Sequence, residues 1–200
     1  MEIDLHMHSK YSYCSNLDLE VIRKIYNKKG ITPIITDHNT IKGNKKFRCK
    51  ILGEEIKTIK GDICALFIQE EIKPLMTVEE TLDEIKKQDG IAIAVHPFDK
   101  MRGSSLGEIT FRPDAVEVFN ARVLLDKYNK KALEFANKHN FLKTASSDAH
   151  FKTEIGQTYT IMEDFNSKKE FLKNLEKAQL VCGKTNYLTF FKSAIRKRLL

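Results

Sequence analysis

The chain opens with Met1-Glu2-Ile3-Asp4-Leu5-His6-Met7-His8-Ser9-Lys10-Tyr11-Ser12-Tyr13-Cys14-Ser15. Ile3 and Leu5 with Asp4 between them read as a short strand, and that strand runs into two imidazoles one residue apart. In an extended segment, side chains at i and i+2 leave from the same face, so His6 and His8 are expected to project together past the strand's end. Two neutral imidazoles so placed suit a divalent cation. Plain surface histidines produce the same dipeptide spacing, so its meaning depends on where the other histidines fall.

Outward from this stretch the pattern repeats. Leu17, Val21, Ile22 and Ile25 recur at helical spacing, with Ser15 or Asn16 as the expected cap and Gly30 as the stop. Ile31 to Thr36 reads as a buried strand that delivers Asp37-His38-Asn39. A basic loop around Gly43 leads past Cys49 to Gly53, which turns the chain into Glu54-Glu55-Ile56; a strand is expected at Ile63 to Ile68. Thr77-Val78-Glu79-Glu80 is a capping box that opens a helix stopping at Gly90. Ile91 to Val95 is apolar throughout, as in parallel strands buried on both faces, and it ends at His96. Ala115 to Phe119 ends at Asn120, and a helix follows from Leu124 to His139 with Leu125, Tyr128, Leu133 and Phe135/Ala136 turned inward. Phe141 to Ala145 delivers Ser146-Ser147-Asp148-Ala149-His150, and Thr158 to Met162, a helix capped at Ser167, and Ala178 to Cys182 complete the series.

Strand followed by helix, several times over, is the pattern of a parallel sheet or an α/β barrel, and in a barrel catalytic groups gather at the C-terminal ends of the strands. Five of the six histidines (His6, His8, His38, His96 and His150) stand at such ends, a distribution that accident does not readily produce. His139 falls inside a helix and reads as a helix C-terminal residue.

Composition sets the frame. A chain of 200 residues with 42% apolar side chains is long enough for one domain with a substantial core. The start of the chain lacks a signal-type basic-then-apolar pattern, and no apolar run approaches membrane-spanning length. The four cysteines show no C-x-x-C spacing, and Cys64 and Cys182 lie in strand-like apolar runs, which suits buried thiols in a reducing, cytoplasmic setting. A formal charge of +7 favours anionic partners, although much of it is lysine spread over helix faces.

Five imidazoles together with Asp37, Glu55, Asp62 and Asp148 exceed what one tetrahedral zinc requires, so two to three divalent ions are implied. Mixed nitrogen and oxygen donors suit Mn²⁺, Zn²⁺ or Fe²⁺. Such a cluster acidifies a bound water and neutralises phosphoryl oxygens, and phosphate-ester hydrolysis is the natural match.

His6-x-His8, Thr36-Asp37-His38-Asn39, Gly53-x-Glu55-Ile56, Ala94-Val95-His96-Pro97 and Ser147-Asp148-Ala149-His150, in this order, resemble the motif series of the polymerase and histidinol phosphatase (PHP) family. The resemblance implies a TIM-like distorted (β/α)7 barrel with a trinuclear metal site at the C-terminal ends of its strands, and phosphoesterase activity. It implies that His6, His8, Glu55 and Asp148 hold a first ion, that Glu55 bridges to a second which also takes His96, and that His38 and His150 serve a third. Two departures stand out. Cys14 occupies the loop position where relatives place Asp or His, which leaves open a thiolate ligand or an inert thiol. Asp62 stands where a histidine is common and is expected to coordinate. Asp37, His96 and Asp148 are the candidate catalytic residues, with Asp37 expected to orient a neighbour by hydrogen bonding.

Arg102, Arg122 and Asn120 are the candidate substrate-binding residues, the arginines for their bidentate grip on phosphate; Ser9 and Lys10 are weaker candidates. Residues 1–184 are expected to form the barrel and 185–200 a basic amphipathic helix packed on it through Phe190, Phe191, Ile195 and Leu199. The expected partner is a phosphorylated small molecule or nucleotide, with nucleic acid as a second class marked by salt-dependent affinity. No membrane partner is expected, and the sequence leaves the oligomeric state open. The alternative function is a catalytically weak module of the same family that serves as a metal-stabilised binding or scaffold domain.

Overall fold

A computed structural model describes residues 1–185, so the expected C-terminal helix lies, beyond Thr185, outside the described residues. In chain order the elements are β1 (Glu2–Met7), α1 (Leu19–Lys29), β2 (Ile31–Ile35), α2 (Lys42–Phe47), β3 (Gly53–Lys57), β4 (Asp62–Leu66), α3 (Val78–Lys87), β5 (Ile91–Ala94), β6 (Ala115–Asn120), α4 (Asp126–His139), β7 (Leu142–Ser146), β8 (Tyr159–Ile161), α5 (Lys168–Leu175) and β9 (Gln179–Val181).

Local chemistry accounts for most boundaries. Asp18, not Ser15 or Asn16, caps α1, its side chain accepting from the Glu20 N–H, while Gly30 closes the helix at φ 72°. Leu17 and Ile22 sit in one core cluster on either side of that cap, as a hydrophobic staple does. The Thr77/Glu80 capping box opens α3, and Ser167 caps α5. The segment read as a basic loop contains α2, whose N-cap Ile41 makes no side-chain bond and whose six residues carry no apolar period.

The strands form two mixed sheets. One is ordered β2-β1-β8-β9, with β1 parallel to β2 and antiparallel to β8. The other is ordered β3-β4-β5-β6-β7. Its β5–β6 and β6–β7 pairs are parallel, as α/β alternation predicts, but β3–β4 and β4–β5 are antiparallel. The reason for the first lies in its connection. Only residues 58–61 separate β3 from β4, and Thr58 closes that turn on the Gly61 backbone, too short a link for the crossover a parallel pair needs.

The sheets meet at two isolated parallel bridges, Met7 with Ala149 and His38 with Glu55. His8 N–H donates to Ala149 O at 3.0 Å and Asp148 N–H to His6 O at 2.8 Å; Asn39 N–H donates to Glu55 O at 2.9 Å. These bonds tie the C-terminal ends of β1 and β2 to β7 and β3, though no continuous ladder closes the two sheets into one among the described residues.

Between the sheets, Ile3, Leu5, Ile34, Cys64, Leu66, Ile91 and Ile93 form a core with Phe165 and Phe171. The opposite faces of the strands are covered too: α3 packs on Ile63, Ala65, Ala92 and Ala94, and α4 on Val116 and Val118. The inward face of α4 matches the apolar reading at Tyr128, Phe135 and Ala136, which pack on Val116 and Val118, and departs from it elsewhere. Leu125 and Leu133 are exposed, and Asn129, Ala132 and Ala136 are buried. Asn129 brackets the end of β6, its Oδ1 accepting from Asn120 N–H and its Nδ2 donating to Asn120 O, both at 3.2 Å. Cys64 is buried as expected, whereas Cys182, on the short edge beyond β9, is exposed.

Candidate metal centre

The strand ends deliver their histidines to one place. Three groups of side chains each bring their ligand atoms within 4.8 Å of one another: His8, Cys14, His38 and His150; His6, His8 and Asp148; and His6, Glu55 and His96. Glu55 is the hub. Its Oε2 lies 3.2 Å from His8 Nε2, 3.1 Å from His38 Nδ1 and 3.5 Å from His6 Nε2, and its Oε1 lies 3.0 Å from His96 Nε2. Asp148 Oδ1 lies 3.3 Å from His8 Nε2 and 3.8 Å from His6 Nε2. Asp62 is buried at the start of β4 but joins none of the three groups. Glu54, on the opposite face of β3, accepts from Ile72 N–H and takes no part.

The backbone bends to present these groups. His96 has φ 30° and Asp148 φ 51°, positive values that residues with a Cβ rarely adopt. Each is anchored: His96 N–H donates to Glu117 Oε2 at 2.8 Å, and Asp148 N–H bonds β1 as above.

Three of the imidazoles are also held from behind. His6 Nδ1 lies 3.0 Å from Glu117 Oε1 and His8 Nδ1 3.0 Å from Ser12 Oγ, which in turn accepts from His38 N–H at 2.8 Å. His150 Nδ1 lies 2.7 Å from the Asp148 carbonyl oxygen. With Nδ1 donating in each case, the Nε2 lone pairs of these three rings turn toward the cluster, the arrangement found where histidines ligate metals.

Asp37 has both carboxylate oxygens engaged by Ser9, from its N–H and its Oγ–H, each at 2.6 Å. These bonds tie Asp37 to the loop bearing His8 and Ser12. Glu117, Asp4, Ser12 and Glu154 also support the site and belong to no motif in the sequence. The available signal was a charged residue alone in an apolar run, as in Ala115-Val116-Glu117-Val118 and Ile3-Asp4-Leu5.

Electrostatically the site is a set of buried anions countered by imidazoles. Burial opposes ionisation of Glu55, yet His38, His6 and His8 hold its carboxyl well below the usual range. Burial opposes ionisation of Asp148 too, and Arg102, His6, His8 and His150 hold it well below. Burial alone would depress His6, but Cys64, Glu55, Glu117 and Asp148 push it well above the ordinary histidine value; His8 rises likewise, against burial, through Asp148 and Glu55. His150 is held well below by burial, Arg122 and His8.

Arg102 reaches the cluster from the loop after His96. It bonds Asp148 through Nη1, Asp99 through Nε at 3.1 Å and Asn120 through Nη2 at 3.2 Å. Asn120 also donates to Asp148 Oδ2 at 3.2 Å and Glu117 Oε2 at 2.9 Å. Arg122 is buried at 5% exposure with its Nε 3.3 Å from Glu154 Oε1, and Glu154 Oε2 receives the N–H groups of His150 and Phe151. Arg122 therefore supports the turn that carries His150 rather than reaching solvent. Tyr13, largely exposed, stacks on His38 at 5.1 Å between ring centroids.

The donor set fits divalent ions. His6 Nε2, His8 Nε2 and His96 Nδ1 are buried nitrogens without a hydrogen-bond partner, two of them facing ionised carboxylates. Buried polar atoms are seldom left so.

A family model described as PHP-associated matches residues 126–180. The chain is 36% identical over 205 residues to the uncharacterised protein MJ0417 of Methanocaldococcus jannaschii, covering 94% of this chain and 85% of that one. Among solved structures, a two-domain protein from Bacteroides vulgatus containing a predicted PHP-like metal-dependent phosphoesterase matches with TM-score 0.71 and 16% identity, over 98% of this chain and 69% of that chain. The lesion-specific endonuclease Q of Pyrococcus furiosus matches with TM-score 0.62 and 15% identity, over 90% of this chain and 57% of that chain. At these identities the two structures speak to fold. No helix among the described residues is long and apolar enough to cross a membrane.

Proposed function

The chain belongs to the PHP-domain family, and from that membership and the geometry above we propose that it is a metal-dependent phosphoesterase, a hydrolase of phosphate esters of a small metabolite, nucleotide or oligonucleotide. The observation that carries this reading is the convergence of five buried or nearly buried imidazoles on Glu55 and Asp148 with Nε2 atoms lacking hydrogen-bond partners on His6 and His8. The two isolated bridges between the sheets support reading the architecture as a distorted barrel with its site at the strand ends.

His6, His8, Glu55 and Asp148 would hold one ion, Glu55 and His96 a second, and His38 and His150 a third, with Mn²⁺, Zn²⁺ or Fe²⁺ as the ions such mixed donors suit. Bound there, divalent ions supply a nucleophile near neutral pH and neutralise charge on the phosphoryl group. Glu117 keeps the proton on His6 Nδ1, and Ser12 and the Asp148 carbonyl do so for His8 and His150, so each Nε2 stays available. Arg102 spends three of its five N–H donors on Asp99, Asn120 and Asp148, which leaves two to receive a substrate oxygen at the rim of the site. Asp37 acts through Ser9 on the loop. Asp62 stands near enough to Glu55 and His96 to sense their charge, and its coordination of the second ion remains part of the proposal. The formal charge of +7 and the fold shared with endonuclease Q support nucleotide or nucleic-acid esters as one substrate class.

The test is hydrolysis of an aryl phosphate monoester and diester by chelated protein reloaded separately with Mn²⁺, Zn²⁺ and Fe²⁺, alongside His6→Ala. Activity that returns with metal and is lost in the variant supports the proposal. Bound metal with no hydrolysis of either ester would instead favour a metal-stabilised binding module.

A further inference from the structure

We infer that Cys14 is a metal ligand, and that Cys14, His38 and His150 make the third ion position a thiolate–imidazole site selective for zinc-type ions, unlike its neighbours, each of which includes a carboxylate. The inference rests on the proposed metal centre and deepens it.

Cys14 sits on the loop between β1 and α1 and is 1% exposed. Its sulfur lies within 4.8 Å of ligand nitrogens of His8, His38 and His150, all in the same group. His8 belongs also to the group with His6 and Asp148, and its buried Nε2, without a hydrogen-bond partner, faces the region between the two positions. The rings of His38 and His150 flank His8 with centroids 4.7 Å and 4.4 Å away. Ser12 ties this loop to both sides, through His8 Nδ1 and the His38 N–H, and Ser15 Oγ donates to the His8 and His150 carbonyls at 3.3 Å and 3.2 Å. The loop that carries Cys14 is thus fastened to the three histidine-bearing segments, which fixes the sulfur beside them.

The chemistry of the set differs from the rest of the centre. The other two groups each include a carboxylate, and hard oxygen donors accept Mn²⁺ or Mg²⁺ readily. The group around Cys14 has one sulfur and only imidazole nitrogens. Thiolate with imidazole is a soft to borderline set that favours zinc; with His8 given to the neighbouring ion, Cys14, His38 and His150 would leave a fourth position open to substrate or water, as catalytic zinc sites do.

The test uses the full-length chain, freed of metal by a chelator and titrated with Co²⁺, whose thiolate ligation gives a near-ultraviolet charge-transfer band independent of any activity. Expected is a band in the unsubstituted protein that Zn²⁺ abolishes, absent from both Cys14→Ser and Cys14→Asp, with one equivalent less Zn²⁺ bound by Cys14→Ser. Co²⁺ bound by the unsubstituted protein without the band overturns the inference, as does a band that persists in the two variants and so belongs to another thiol such as Cys64. Absence of the band from the unsubstituted protein overturns the inference whether or not a variant folds, and Cys64→Ser, which is expected to keep the band, separates the two thiols if the Cys14 variants fail to fold. Phosphoester hydrolysis without the band would sink the ligand assignment and leave the proposed function standing; the band without hydrolysis does the reverse.

Discussion

Glu117 Oε1 lies 3.0 Å from His6 Nδ1, while its other oxygen receives the His96 N–H at 2.8 Å and Asn120 Nδ2 at 2.9 Å. One buried carboxylate on β6 thereby orients a histidine at the end of β1 and the strained backbone of another at the end of β5. Glutamine offers a single acceptor oxygen, so in Glu117→Gln its NH₂ meets a donor on one side or the other. Metal affinity should fall about 10- to 100-fold, the usual effect of losing such a supporting group. Competition with a chromophoric chelator measures it, and an unchanged affinity would refute the orienting role.

Arg102 holds Asp99, Asn120 and Asp148 with three different N–H groups. Lysine retains the charge but cannot span the three acceptors with one planar fork. Arg102→Lys should lose about 10- to 100-fold in kcat/KM for a phosphoester, the equivalent of one charged hydrogen bond, with metal content preserved. Equal loss of bound metal would show that Arg102 acts only through Asp148.

A Cβ built on Gly43 meets Asp37 Oδ2 at 2.0 Å and Ser9 Oγ at 2.5 Å. Both atoms belong to the paired bonds that hold the loop after β1, so neither yields freely. Gly43→Ala is expected to cost about 1–3 kcal/mol, as overpacking in a filled interior does. Thermal unfolding reads this as a drop of several degrees in Tm; an unchanged Tm would mean that α2 shifts at no cost.

Glu54, fully buried on the outer face of β3, is pushed up to about 7 by desolvation, only partly offset by the Ile72 N–H. Its folded pKa exceeds its unfolded value, so the folded state binds the proton more tightly. The associated stability is full below about pH 4.5 and is lost as pH rises toward 7, by on the order of 2–3 kcal/mol. Glu54→Gln should flatten this part of the stability profile in denaturant titrations at pH 4.5 to 7.5. Identical slopes in the two proteins would contradict the assignment.

Much of the site could be read in advance because its residues sit at a recurrent place. His6 and His8, His38, His96, and Asp148 with His150 each follow an apolar strand, and strand ends are where an α/β fold gathers side chains. The Gly53-x-Glu55-Ile56 spacing points to Glu55, and β-strand alternation puts Glu54 and Glu55 on opposite faces, one toward Ile72 and one toward the histidines. The supporting groups were harder to see. Asn129 lies on the buried face of α4 because it bonds the end of β6, where apolar periodicity favoured Leu125 and Leu133. α2 is not legible in the sequence because its N-terminus has no side-chain cap and its six residues carry no apolar stripe.

By itself the sequence determined the succession of strands and helices and which residue types stand at the strand ends, since caps, turns and apolar periods act over a few neighbouring positions. Tertiary structure alone decided the mixed pairing of the sheets and the partners of the buried charges. Those depend on which distant segments touch: Glu117 meets His6 across 111 positions of chain and Asp37 meets Ser9 across 28. A buried charge announces that it needs a partner, but only the packing of the two sheets supplies one.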